Sequence, residues 1–169
     1  MLFRSIALDG ESYLVLAVEP VGRTVAPPNN SFTRQIGEVD SAFTGGTFAP
    51  TFTIPRWVFD RLAARRQAWP IPWTAADSLA TWLVPERLLL FVQFAEPDEA
   101  WTASLKIDGR PVELRKAYSS IRRVPRDFVG FSADISALAA EQAHALELQL
   151  PALKKGQLQG VFLENVVRP

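Results

Sequence analysis

Apolar and polar positions alternate with a period of two over much of the second half of the chain. In "HALELQLP" (144–151), Leu146, Leu148 and Leu150 fall on one side, and Ala145, Glu147 and Gln149 on the other. That is the pattern of a strand with one buried face. "RLLLFVQFAEP" (87–97) begins as a dense apolar run and predicts a buried strand. "FVGFSADIS" (128–136) alternates again, and "GQLQGVFLENVVRP" (156–169) predicts a last strand. Between them, "TASLKIDGRPVEL" (102–114) places Asp108-Gly109 between two short apolar-alternating runs. Asp-Gly is a strong two-residue hairpin signal, because both central residues of a type I′ turn need positive φ.

The first half is less regular. "SYLVLAVEP" (12–20) has strand length and ends at Pro20. Residues 21–50 are rich in Gly, Pro, Asn, Ser and Thr and predict loops with short strands. "TFTIPRWVF" (51–59) predicts an edge strand or bulge, since Pro55 lacks the amide a central strand needs. A helix is expected over 57–69, with Asp60 near its start and Pro70 and Pro72 stopping it. One or two helical turns are expected over 74–83, and again in the Ala-rich 135–144. Nowhere does a strand–helix–strand rhythm of crossover length occur. The chain is therefore read as all-β: an antiparallel β-sandwich or jelly roll, with a short helical and loop-rich insertion in the first half. Residues 1–169 are read as a single domain, with 68–76 the most plausible joint.

Composition narrows the chemistry. The 169 residues are 48% hydrophobic, enough for a full core, and formal net charge is zero, so no polyanionic partner such as nucleic acid is implied. There is no cysteine, which removes disulfides, thiolate metal sites and thiol nucleophiles. No apolar run reaches the ~18 residues of a membrane span, and no membrane partner is expected. The start carries no export-signal pattern, so a cytoplasmic protein and a mature secreted or periplasmic domain both fit.

The order of parts from "RLLLFVQF" through the Asp108-Gly109-Arg110 hairpin to Phe131, Asp134, Ile135 and Ser136 resembles the galactose-binding-like β-sandwich domains attached to many bacterial glycoside hydrolases. The resemblance covers roughly residues 84–167 and brings no catalytic residue. It implies an accessory module that touches sugar or braces a catalytic neighbour. Asp108 stands where Asn is more usual in that pattern. Asp134 has a plain local reading as well, as an acceptor for backbone N–H groups at a strand end.

Five tryptophans support a sugar-binding reading, because flat rings pack on the C–H faces of a pyranose. Trp69 and Trp73 flank "PIP", which stiffens their loop, and Trp101 lies among acids and is expected to be the wettest. At least three of the five are expected to be mainly buried. "AYSSIRRVPR" (117–126) gathers Tyr118, Arg122, Arg123 and Arg126 on what reads as a loop. Arginine forks and a tyrosine could hold an acidic sugar. The candidate ligand set is thus Trp69, Trp73, Trp101, Tyr118, Arg122 and Arg123, with a glycan or a neighbouring catalytic domain as partner.

Two rivals remain at this stage. One is a small polysaccharide-degrading enzyme of lyase type, with Tyr118 as proton shuttle. The other is a structural or oligomerisation domain. "EPDEA" (96–100) reads as a solvated turn that could also hold Ca²⁺ with backbone oxygens; no other cofactor is expected. His144, the single histidine, reads as a surface or strand-edge residue.

Overall fold

The computed structural model describes residues 4–8, 11–15, 32–64, 87–121 and 124–167. Its strands are β1 (Arg4–Leu8), β2 (Glu11–Val15), β3 (Thr33–Gln35), β4 (Gly46–Phe48), β5 (Thr51–Thr53), β6 (Arg87–Phe94), β7 (Ser104–Ile107), β8 (Arg110–Val112), β9 (Arg115–Ile121), β10 (Val124–Asp134), β11 (Ala143–Leu150) and β12 (Leu158–Val167). Helix α1 (Arg56–Ala64) falls between β5 and β6. The protein is an all-β antiparallel sandwich.

The larger sheet has the order β2-β1-β9-β10-β6-β12-β3. The smaller has the order β4-β11-β7-β8, with β5 also paired to β11. Strand β6 explains why two layers form. Leu88, Leu90, Val92 and Phe94 point one way into the main core, where Leu105 and Ile107 of β7 and Leu146, Leu148 and Leu150 of β11 meet them. Leu89 and Phe91 point the other way and are also buried, with Ala117 and Val166. A strand apolar on both faces must be covered twice.

The second cover follows from topology. Strand β12 pairs with β6 along one edge; its other edge takes β3 at Phe162–Glu164 and β2 at Val166 and Val167. Strand β1 pairs with both β2 and β9. The β1–β2 hairpin therefore bridges β9 to β12 and closes the larger sheet into a ring. Leu89 and Phe91 lie on the face of β6 turned away from the smaller sheet.

Local details follow from residue chemistry. Asp108 and Gly109 join β7 to β8 with φ of 52° and 74°, the positive pair a type I′ turn requires. Strand β10 is bulged between Phe128 and Gly130, where an added Cβ at Gly130 would overlap the carbonyl oxygen of Val92. On β11 the outward residues are polar and paired across the sheet: Lys106 Nζ lies 3.2 Å from Glu147 Oε1, and Gln149 Nε2 donates to Thr47 Oγ1 at 2.5 Å.

Three expectations change. The described part of the predicted 57–69 helix is α1, which starts one residue earlier. The acid at its start is Glu141 rather than Asp60: Glu141 Oε1 accepts from the Arg56 N–H at 2.5 Å. Residues 136–142 form turns, not helix, because Glu141 takes φ of 60° and its N–H is spent on the Ile54 carbonyl (3.0 Å). Tyr118 lies within β9 and not in a loop. The helical turns predicted for 74–83 and the joint at 68–76 lie outside the described residues. Among the described residues no helix is long and apolar enough to cross a membrane.

The parity of β11 sets a direct expectation. Leu148 is fully buried opposite Leu105, so Leu148→Ala should cost about 2–5 kcal/mol in denaturant unfolding. Glu147→Ala, one position along on the solvent face, should stay within about 0.5 kcal/mol of wild type. Equal costs at the two positions would contradict the assigned facing.

Candidate functional site

The sequence-predicted ligand residues divide. Trp69, Trp73, Arg122 and Arg123 lie outside the described residues. Trp101 and Tyr118 are brought into one aromatic row on the inner face of the larger sheet. Trp101 meets Phe94 edge-on at 5.2 Å, Phe94 meets Phe131 at 6.0 Å, Phe131 meets Phe128 at 5.4 Å, and Phe128 meets Tyr118 at 5.9 Å. Edge-to-face stacks of this kind hold the rings by their quadrupoles. Trp101 is half-buried in this row, and Trp57 on α1, 41% exposed, is the wetter of the two described tryptophans.

Glu99 ties off the end of the row. The Tyr118 hydroxyl donates to Glu99 Oε1 at 2.7 Å, and Lys116 Nζ donates to the Glu99 carbonyl oxygen. The hydrogen bond to Glu99, then burial and the carboxylate charge, push the Tyr118 pKa above its ordinary value. Nearby, Asp98 Oδ1 accepts from the Ala100 N–H at 2.8 Å, and the Glu96 carbonyl accepts from Gln157 Nε2 at 3.0 Å. Asp98 thus serves the turn, while Glu96 and Glu99 tie it to Gln157, Tyr118 and Lys116. Among the described residues no three His, Cys, Asp or Glu side chains gather as a metal site.

His144 is where the structure departs most from expectation. It is 1% exposed, not a surface residue. It stacks near Phe52 at 5.4 Å, with Nε2 2.8 Å from the Ala139 carbonyl oxygen and Nδ1 2.7 Å from Asp108 Oδ2. A carbonyl only accepts, so Nε2 carries a proton. Nδ1 faces a carboxylate whose other oxygen accepts from the Ala145 N–H at 2.8 Å. Burial lowers the His144 pKa, but the Ala139 carbonyl, the Asp108 hydrogen bond and the Asp108 charge outweigh it, and the net shift is upward. Asp108 is lowered, first by its bond to His144 and then by the Ala145 N–H. The imidazolium and carboxylate together fasten the β7–β8 turn to β11. Both ring nitrogens are engaged, so His144 has no lone pair to offer as a base.

A separate cleft of about 150 Å³ opens on the other face of the larger sheet, at the end where β6 begins and β10 finishes. Arg87, Leu89, Val112, Glu113, Arg115, Ser132 and Asp134 line it. Register places them: Asp134 lies opposite Leu89, and Ser132 opposite Arg115. Each guanidinium has a carboxylate beside it. Arg115 Nη2 is 2.8 Å from Glu113 Oε2, and Arg87 Nη1 is 3.6 Å from Asp134 Oδ2. Asp134 keeps the turn role expected of it, with Oδ1 accepting from the Ser136 N–H at 3.0 Å. The two arginines and two acids cancel in charge, while Leu89 and Val112 supply apolar wall. Ser132 Oγ is buried and has no hydrogen-bond partner.

Sequence reasoning missed this cleft because its residues come from three separate stretches, 87–89, 112–115 and 132–134. One signal was present: Ser132 is the polar position between the core residues Phe131 and Ala133. Comparison of the chain with protein-family models, curated proteins and solved structures finds no match. The geometry alone therefore carries the functional reading.

The His144–Asp108 pair has a definite pH signature. A raised imidazole pKa stabilises the fold fully below the ordinary value of 6.5 and stops doing so as pH rises through the folded-state value. The lowered Asp108 contributes fully above its ordinary 3.8 and loses its contribution as pH falls through the folded-state value. The pair should therefore contribute most between those two pH values. As the sole histidine, His144 gives an unambiguous NMR titration. Its midpoint should lie above 6.5 in wild type and drop in Asp108→Asn, which keeps a residue suited to positive φ but removes the charge. A wild-type midpoint at or below 6.5 would refute the ion pair.

Proposed function

We propose that the protein is a non-catalytic sandwich module of a carbohydrate-active system, and that the Arg87–Arg115 cleft holds one neutral sugar unit. The observation that carries this reading is the make-up of the cleft: guanidinium donors alternating with carboxylate acceptors, in balanced charge, against an apolar wall. A sugar hydroxyl donates and accepts at once, so it is best met by both kinds of group side by side. Carboxylates that hold the guanidiniums also orient them, which lowers the ordering cost on binding. Cancelled charge favours a neutral sugar over a uronate or phosphate. At about 150 Å³ the space falls below the ~300 Å³ of pockets for drug-sized ligands, and fits a single ring or chain end.

The lyase reading has less behind it. A proton-abstracting tyrosine gains from a lowered pKa, and Tyr118 is raised by its bond to Glu99. The test is titration of the isotope-labelled protein with neutral hexoses, their oligomers and uronates. Neutral sugars should bind at about millimolar Kd, near −4 kcal/mol, and shift the amides of Arg87, Arg115 and Ser132. Arg115→Ala should weaken binding at least ~10-fold, the loss of one charge-assisted hydrogen-bond pair. Preferential binding of uronates, or unchanged binding in Arg115→Ala, would overturn the proposal.

A further inference from the structure

We infer that Ser132 is the specificity-determining residue of the cleft, its hydroxyl reserved for one hydroxyl group of the ligand. This rests on the reading of the cleft as a sugar site and deepens it.

Strand alternation puts Ser132 on the cleft side of β10, because Phe131 and Ala133 on either side of it enter the main core. Its Oγ is the one buried side-chain polar atom among the described residues without a hydrogen-bond partner. Other buried polar groups are met: Asn165 Oδ1 accepts from the Phe32 N–H at 2.8 Å, Gln157 Oε1 accepts from the Lys154 N–H at 2.9 Å, and both His144 nitrogens are engaged. Leaving a buried hydroxyl unmet destabilises a fold, so such an atom calls for an explanation outside packing. Alanine would fill the same place without that cost.

The neighbours of Ser132 point to the ligand side. Arg115, directly across the strand pair, is held by Glu113 at 2.8 Å, and Arg87 lies beside Asp134 at 3.6 Å. The charged groups thus pair with one another around a hydroxyl that none of them satisfies. A ligand hydroxyl bound between the arginines can meet Ser132 both as donor and as acceptor. A site built around such a polar group rejects the analogue lacking the hydroxyl much more strongly than a site built on shape alone.

The test compares wild type with Ser132→Ala by calorimetry, using glucose, galactose, mannose and their monodeoxy forms, and by thermal melting without sugar. Ser132→Ala should melt about 2–4 °C higher, as expected when an unmet buried hydroxyl is removed. It should bind the preferred hexose at least ~10-fold more weakly and no longer distinguish it from one of its deoxy forms. A wild type that binds a hexose, with Ser132→Ala binding it equally well, overturns the role of Ser132 and leaves the sugar site standing. A wild type that binds none of these sugars overturns the sugar site, and this inference with it.

Discussion

Strand β6 is buried on both faces from Leu88 to Val92. Its edges are hydrogen-bonded to β10 and β12, and its faces carry Leu88, Leu90, Val92 and Phe94 one way and Leu89 and Phe91 the other. Each such side chain contributes about 1.5–3 kcal/mol when fully buried, so exposing either face would be costly. One face calls the smaller sheet onto the larger. The other packs with Ala117 and Val166, and the β1–β2 hairpin joins β9 to β12 and closes the larger sheet into a ring. The ends of these strands are where polar residues can return, and Arg87 and Asp134 sit there. The candidate site is thus a by-product of how this strand is covered.

How much of this was readable depended on whether one period or several segments carried the signal. Alternation in "HALELQLP" placed Leu146, Leu148 and Leu150 inward because a single strand with one wet face has no competing solution. Asp108-Gly109 was readable because its dihedral demand is local. The same alternation also held the clue to His144, which shares the parity of those leucines, although a titratable ring argues for the surface. Its burial is met by the Ala139 carbonyl and by Asp108, which lies 36 residues earlier and also serves the turn. An Asn at that position would serve the turn but leave the imidazole without its anion.

Other features were set by tertiary partners. The Ala-rich 135–144 has helical propensity, yet Glu141 gives its N–H to Ile54 and its carboxylate to the start of α1, which turns the segment instead. Tyr118 and Trp101, ligand candidates by type, stand half-buried at the two ends of an aromatic row packed against the core. The cleft residues come from β6, β8, β9, β10 and the link between β8 and β9, and only the sheet register brings them together. No local pattern could have joined them.

Native-state hydrogen exchange tests the central claim most directly, because it ranks each backbone amide by the opening it requires. The amides of β6, with the parts of β10 and β12 paired to it, should exchange slowest and only through global unfolding. Those of β3, β4 and β8 at the sheet edges should exchange much earlier. If β6 instead exchanged as readily as those edge strands, or if β11 in the smaller sheet proved the slowest, the twice-covered strand would not be what the fold is built on.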